Sequence, residues 1–147
     1  MGIIFADIEL VSGDDLTLAA RGFLEPEKVR RVKVRALVDT GAFMLAINEK
    51  IRAELDLRKV DEQNVILGDG TKRRVDVVGP VELRFQNRRC TLDALVLPNE
   101  NDVLMGALPL EELDVLIDPR KQTIVINPES PERASSILKG SRLGDRR

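Results

Sequence analysis

The sequence predicts a mostly β domain with one or two short helices. The chain contains many short runs of alternating or continuous apolar residues, and Gly, Pro, Asn or Asp separates most of them. Its length of 147 residues fits one domain with a substantial core. The 43% hydrophobic and 33% charged content is ordinary for a globular protein. We therefore expect one β-rich unit.

The N-terminal part of the chain is predicted to form strands. IIFADIEL (3–10) partly alternates and predicts a first strand, SGDD (12–15) predicts a turn, and LTLAARGFL (16–24) predicts a second strand. VRRVKVRALVD (29–39) alternates apolar and basic residues and then becomes wholly apolar. This third strand is expected to begin half exposed and to end buried.

A helix is predicted over INEKIRAELDL (47–57), where apolar residues recur at helical spacing. Asn48 is a suitable N-cap residue. Glu54 is placed to meet Arg58 four residues later. This segment is the first predicted helix of the chain.

Two hairpins are predicted after this helix. The runs within 64–85 surround GDG (68–70), and Asp-Gly favours the positive φ of a tight turn. Gly79-Pro80 is expected to break or bulge the outgoing strand. The second hairpin is predicted around QNRR (86–89).

The C-terminal part is predicted to contain a helix, two strands and a tail. The apolar run that begins at VLM bends at Gly106 and continues as a short helix over 108–113. Strands are expected at 115–118 and 122–127. The segment 128–147 is polar, with two early prolines, and is predicted to be a flexible tail.

Composition excludes several classes of function. With one Cys and no His, the chain has no internal disulfide, no thiolate zinc site and no imidazole for a Ser-His or Cys-His pair. Cys90 is expected to be a small buried hydrophobic residue. A net charge of -2, scattered basic residues and the lack of Trp and Tyr argue against a nucleic-acid partner. We expect no metal and no cofactor, so acid-base catalysis would fall to carboxylates, lysines or water.

The N-terminal residues do not predict a targeting segment. MGIIFADIELVSGDD has a short apolar run without a preceding basic region or a small-residue cleavage site, and no stretch approaches the length of a membrane span. We expect a cytoplasmic protein without a membrane partner.

The most informative stretch is VRALVDTGAFMLAI (34–47), an apolar run interrupted by Asp39, Thr40 and Gly41. An acid at the end of a buried strand must be hydrogen-bonded, paired or neutralised. The tripeptide alone is weak evidence, and taken by itself it favours a turn in which Asp39 caps backbone amides. The order of elements favours a catalytic role, because a helix, a glycine-tipped hairpin and VLMG (103–106) follow.

On these motifs the chain resembles the retropepsin-like aspartic proteases, the single-lobe family that includes retroviral proteases. The resemblance is carried by LVDTGA (37–42), LGDGT (67–71) and VLMG, and it spans roughly 29–127. It implies a closed β-barrel with a flap hairpin over the active site. Residues 1–28 are expected to add N-terminal strands to this domain.

The resemblance implies a role for each motif. Asp39 would be the catalytic acid, Thr40 and Gly41 would complete the signature, and VLMG would pack beside the catalytic loop. For Asp69 itself a turn role is favoured, and KRR (72–74) is interpreted as solvated surface. The flap and cleft residues expected to contact substrate are Ala42, Ile66, Leu67, Gly68, Asp69 and Gly70.

Peptide hydrolysis by carboxylates needs two of them sharing one proton. The chain has a single Asp-Thr-Gly, and LIDPR (116–120) has Pro119 where a hydroxyl residue would be needed. A two-fold axis would supply a second Asp39 from another copy, with Thr40 bonding across the interface and Gly41 allowing close backbone approach. The sequence therefore predicts a homodimeric aspartic endopeptidase acting on peptides or proteins through a water between two Asp39 carboxylates. A non-catalytic peptide-binding module and a dimerisation module of the same fold remain alternatives.

Overall fold

The computed structural model describes residues 3–98 and 101–138. Its elements in chain order are β1 Phe5–Ser12, α1 Gly13–Ala20, a 3-10 helix Pro26–Lys28, β2 Arg31–Val38, β3 Leu45–Ile47, α2 Glu49–Leu55, β4 Lys59–Ile66, β5 Lys72–Phe85, β6 Arg88–Val96, β7 Val103–Met105, α3 Ala107–Leu113, β8 Val115–Asp118 and β9 Thr123–Ile126.

Six strands form a closed barrel. They follow the order β1-β2-β7-β3-β6-β5, and β5 returns to pair with β1. Strand β4 pairs with β5 alone and forms with it a hairpin that extends from the barrel, while β8 and β9 form a separate two-stranded sheet. The predicted mostly β, single-lobe closed barrel is confirmed.

The barrel interior is filled by aliphatic side chains that alternate along the strands. Burying each large aliphatic side chain contributes about 1.5–3 kcal/mol. Cys90 belongs to this core, as predicted, and burial raises the pKa of its thiol to about 12. The largest side chains that are completely enclosed include Leu10, Leu45, Ile47, Leu83, Met105 and Leu113.

The α-helices α1, α2 and α3 are short, with seven or eight residues each. Across residues 3–98 and 101–138, none has the length and apolar character needed to cross a bilayer. Helix α2 begins as predicted, because the Asn48 side chain accepts a hydrogen bond of 2.8 Å from the Ile51 N–H. Arg58 does not meet Glu54 but pairs with Asp14 at 2.8 Å, because α2 ends at Leu55 with Asp56 in the left-handed conformation.

The prediction for residues 12–24 is wrong. Instead of a turn followed by a strand, the chain forms α1. Ser12 is an N-cap, since its Oγ accepts a hydrogen bond of 3.1 Å from the Asp15 N–H, and Asp14 and Asp15 complement the helix dipole in the first turn. Asp15 is also buried, where its carboxylate accepts bonds from the backbone and guanidinium of Arg30. The turn-forming residues of SGDD are therefore a helix start.

Both predicted hairpins are present. At the tip of β4–β5, the Leu67 N–H donates to the Thr71 carbonyl at 2.8 Å, and Gly70 takes the positive φ of 87°. Strand β5 runs through Gly79-Pro80 with a shift of register towards β6, so this dipeptide bulges the strand and does not end it. The second hairpin joins β5 and β6 through residues 86–87.

Contacts hold the segment that follows β9 against the domain. The Ser130 Oγ donates to Asp114 Oδ2 at 2.5 Å, and the Ser135 N–H donates to the same oxygen at 2.9 Å. The Arg88 guanidinium donates to the Ser130 carbonyl. The sequence predicts a flexible tail over 128–147, whereas the part up to Ser135 makes defined contacts. Residues 139–147 lie outside the described residues, and the division into domain and tail stays a prediction.

Asp114 makes this attachment sensitive to pH. Hydrogen bonds from Asn127 and Ser130 lower the pKa of Asp114 from 3.8 to about 2. A carboxyl whose pKa is lower in the folded state stabilises that state above its unfolded pKa, and loses the effect as the pH falls through the folded pKa. We expect Asp114→Asn to lower the Tm near neutral pH, and this deficit to shrink between about pH 4 and about pH 2.

The control is Asp56→Asn, because Asp56 also has a positive φ after a helix but makes no side-chain hydrogen bond within the described part of the chain. Asn tolerates this backbone conformation, so both variants isolate the side-chain contacts. Thermal unfolding followed by circular dichroism at a series of pH values gives the comparison. A deficit in Asp114→Asn that is unchanged near pH 2 would contradict this assignment.

Candidate active site

Asp39 follows directly after β2, at the rim of the barrel. Strand β2 pairs in parallel with β7, and the Asp39 N–H continues this ladder by donating to the Met105 carbonyl at 2.9 Å. The Asp39 carbonyl accepts a bond of 3.1 Å from the Ala42 N–H, which closes the chain into a turn. Residues 39–44, which we call the Asp39 loop, therefore begin from a fixed point on the barrel.

The VLMG segment supports the other side of the Asp39 loop. The Gly106 N–H donates to Met44 O at 3.1 Å, and the two following N–H groups donate to Ala42 O and Phe43 O at 2.9 and 2.8 Å. A Cβ on Gly106 would lie 2.6–2.7 Å from backbone atoms of this loop, so only glycine fits. The contact agrees with the position that the resemblance implies for VLMG.

Asp39 is exposed in the single chain. Its Oδ1 accepts a bond of 2.9 Å from the Gly41 N–H, while Oδ2 makes no hydrogen bond within residues 3–98 and 101–138. The loop follows the end of β2 and leaves the carboxylate accessible to solvent. Gly41 allows this close approach, since a Cβ there would lie 3.2 Å from the carboxylate.

A groove of about 840 Å³ separates the Asp39 loop from the β4–β5 hairpin. It brings together most of the residues predicted for the site. Thr40 and Gly70 do not line it. The predicted residues that do are Asp39, Gly41, Ala42, Ile66, Leu67, Gly68 and Asp69.

Other lining residues were not anticipated from the sequence. Phe43, within the Asp39 loop, has 64% of its surface exposed and lines the groove. Leu104 lies on the groove side of β7, and its alternation with two buried neighbours is the one sequence signal that marks it. Leu95 of β6, with Leu97 and Pro98 directly after this strand, completes an apolar wall.

Two lining residues are charged, Asp39 and Asp69. Asp69 Oδ1 accepts bonds from Thr71 Oγ1 at 2.6 Å and from the Thr71 N–H at 2.9 Å. These bonds hold the pKa of the Asp69 carboxyl below its usual value. No group of three or more potential metal-ligating side chains occurs among the residues that the structure describes.

Comparison with known families identifies the type of site. Residues 26–108 match the family model described as aspartyl protease. This match covers more than half of the chain and includes the Asp39 loop, the β4–β5 hairpin and VLMG. The chain belongs to this retropepsin-like aspartyl protease family. No curated protein matches it. For an aspartyl protease, the groove between an acidic loop and a hairpin is the expected place for a peptide.

Proposed function

We propose that this aspartyl protease is a homodimeric endopeptidase, in which a water between two Asp39 carboxylates, one from each chain, attacks the peptide bond. The observation that carries the proposal is the half-complete site: one Asp39 lies in a groove of about 840 Å³, and its Oδ2 makes no hydrogen bond to any residue that the structure describes. The other acid of the groove, Asp69, belongs to the hairpin and is engaged by Thr71.

The chemistry follows from one proton shared by two carboxyl groups. The ionised carboxylate removes a proton from water, and the resulting hydroxide forms a bond to the carbonyl carbon while the protonated carboxyl donates to the carbonyl oxygen. When the tetrahedral diol collapses and the C–N bond breaks, the carboxyl that took the proton from water gives it to the nitrogen. The other carboxylate accepts a proton from a diol hydroxyl as the new carbonyl forms, so the pair again holds one proton. The Gly41 N–H engages Asp39 Oδ1, and the proposed mechanism uses Oδ2 for the proton shared with the partner carboxyl.

The symmetry of a dimer supports the second carboxylate. A two-fold axis beside the Asp39 loop would place each acid against its counterpart. Thr40 is exposed, lies outside the groove and makes no side-chain hydrogen bond in the described chain, so its hydroxyl is available to bond across the axis. This bond would hold both loops in the geometry that a shared proton needs.

The groove favours extended peptides. Its wall is mainly aliphatic, so we propose that apolar side chains lie on either side of the scissile bond. The reaction as proposed uses water alone. The cytoplasmic location expected from the sequence stays part of this proposal.

Cleavage of a diverse peptide library between about pH 4 and about pH 8 tests the proposal. The oligomeric state is measured at the same concentrations. We expect cleavage that rises faster than linearly with protein concentration, because only the dimer holds both acids. A folded dimer that cleaves nothing would favour the peptide-binding module, whereas an inactive monomer would favour a turn-capping role for Asp39.

A further inference from the structure

The groove carries a charge that the proposed chemistry does not use, at Asp69 on the tip of the β4–β5 hairpin. We propose that Asp69 is a specificity-determining residue that selects peptides with a Lys or Arg side chain close to the scissile bond. The inference rests on the proposed function, because it names the substrate class of the same groove.

The composition of the groove points to this residue. Apart from Asp39, its described lining contains one charged side chain, Asp69, and one other side chain with a polar end, Gln63. The two Asp39 carboxylates share a proton and hold the water during catalysis. Asp69 is therefore the charged residue of the groove that can pair with a substrate side chain, and a basic residue in the peptide would complement it.

The local structure keeps the Asp69 carboxylate in place and ionised. Thr71 occupies Oδ1 with two hydrogen bonds, while Oδ2 has no hydrogen-bond partner in the described chain. The bonds from Thr71 keep the pKa low, so the negative charge persists into weakly acidic conditions. A fixed carboxylate with one open oxygen is a suitable acceptor for an ammonium or guanidinium group.

The neighbouring basic residues lie around a different concavity. Lys72, Arg73 and Arg74 line a space of about 430 Å³ on the hairpin and do not line the groove of Asp39. Arg74 also approaches Glu62 at 3.8 Å. On the side where the peptide would bind, the hairpin therefore presents an acid.

The test uses sets of peptides derived from a sequence that the wild-type protein cleaves. Each set carries Lys, Gln or Glu at one position within four residues of the scissile bond. At one position at least, we expect kcat/KM for the Lys peptide to exceed that for the Glu peptide by about tenfold at low ionic strength, and by much less in about 1 M salt.

Two variants separate the charge from the fold of the hairpin. Asp69→Asn keeps an oxygen to accept the bonds from Thr71 and removes the charge, so the Lys-to-Glu ratio is expected to fall to about one. Asp61→Asn makes the same charge change in β4 outside the groove and is expected to keep the wild-type ratio.

The outcomes distinguish this inference from the proposed function. Cleavage with equal rates for Lys and Glu peptides, or a ratio that survives in Asp69→Asn, would overturn the inference alone. Faster cleavage of Glu peptides would overturn it in favour of the basic residues 72–74. If no peptide of the library is cleaved, the proposed function fails. Binding of Lys, Gln and Glu versions of a mainly apolar library peptide, measured by fluorescence anisotropy, then tests the inference: a Lys preference lost in Asp69→Asn supports the assignment, and equal binding rejects it.

Discussion

Replacement of Asp39 by Asn is expected to abolish peptide cleavage, lowering kcat/KM by about a thousandfold or more. Asn keeps an oxygen that accepts the hydrogen bond from the Gly41 N–H, so the Asp39 loop retains its shape. It has no carboxyl proton to take from water or give to the carbonyl oxygen. Initial rates against library peptides measure the loss, and an unchanged Tm shows that the fold is intact.

Mixing the two proteins tests whether the chains act in pairs. If equal amounts of wild type and Asp39→Asn exchange subunits at a fixed total concentration, about one quarter of the dimers contain two intact acids. Activity is then expected at about a quarter of the wild-type value, whereas independent chains would retain about half. A result near half would contradict the dimeric site while leaving a role for Asp39.

Asp118 provides the matched control. Asp118 is the last residue of β8, and Asp39 similarly lies directly after the end of β2. The Asp118 Oδ1 caps a turn by accepting a hydrogen bond of 3.0 Å from the Arg120 N–H. It lies outside the groove, so Asp118→Asn is expected to keep full activity. Loss of activity in both variants would mean that the effect of Asp39→Asn is not specific to the groove.

Replacement of Gly106 by Ala is expected to have the largest effect on stability, costing about 3 kcal/mol. The added methyl group would lie 2.6–2.7 Å from backbone atoms of residues 42–44. These backbone atoms cannot relieve the clash by a change of rotamer, as a flexible side chain can. Relief requires the Asp39 loop to move from VLMG, which breaks the hydrogen bonds between them. Urea unfolding measures the stability, and peptide cleavage is expected to be lost as well.

Gly68→Ala is the control for this substitution. Gly68 lines the same groove, but a Cβ there meets nothing within 4 Å, so its stability is expected to change by less than about 0.5 kcal/mol. If Gly106→Ala proved as stable as the wild type, the close contact between VLMG and the Asp39 loop would be contradicted. The pair of variants therefore tests how the barrel positions the catalytic loop.

Local sequence determined the elements whose signals lie within a few residues of one another. Asn48 accepts the bond that starts α2, Gly70 provides the positive φ of the hairpin tip, and the Asp-Thr-Gly motif marks the end of β2. Capping and turn chemistry act over three or four residues, so a short window of sequence contains the physical cause. The short range of these signals also explains why the prediction for residues 12–24 is wrong. Ser12 favours both a turn and a helix start, so the local sequence does not distinguish the two.

Tertiary structure alone decided the features that join distant parts of the chain. The pairing of β2 with β7 brings Asp39 to the Met105 carbonyl, and closure of the barrel between β1 and β5 leaves the acid at an exposed rim. The groove also depends on packing, since Phe43, Leu97 and Leu104 meet only when four strands and a hairpin are assembled. No short-range pattern encodes these contacts, because their free energy comes from burying surfaces that lie far apart in the sequence.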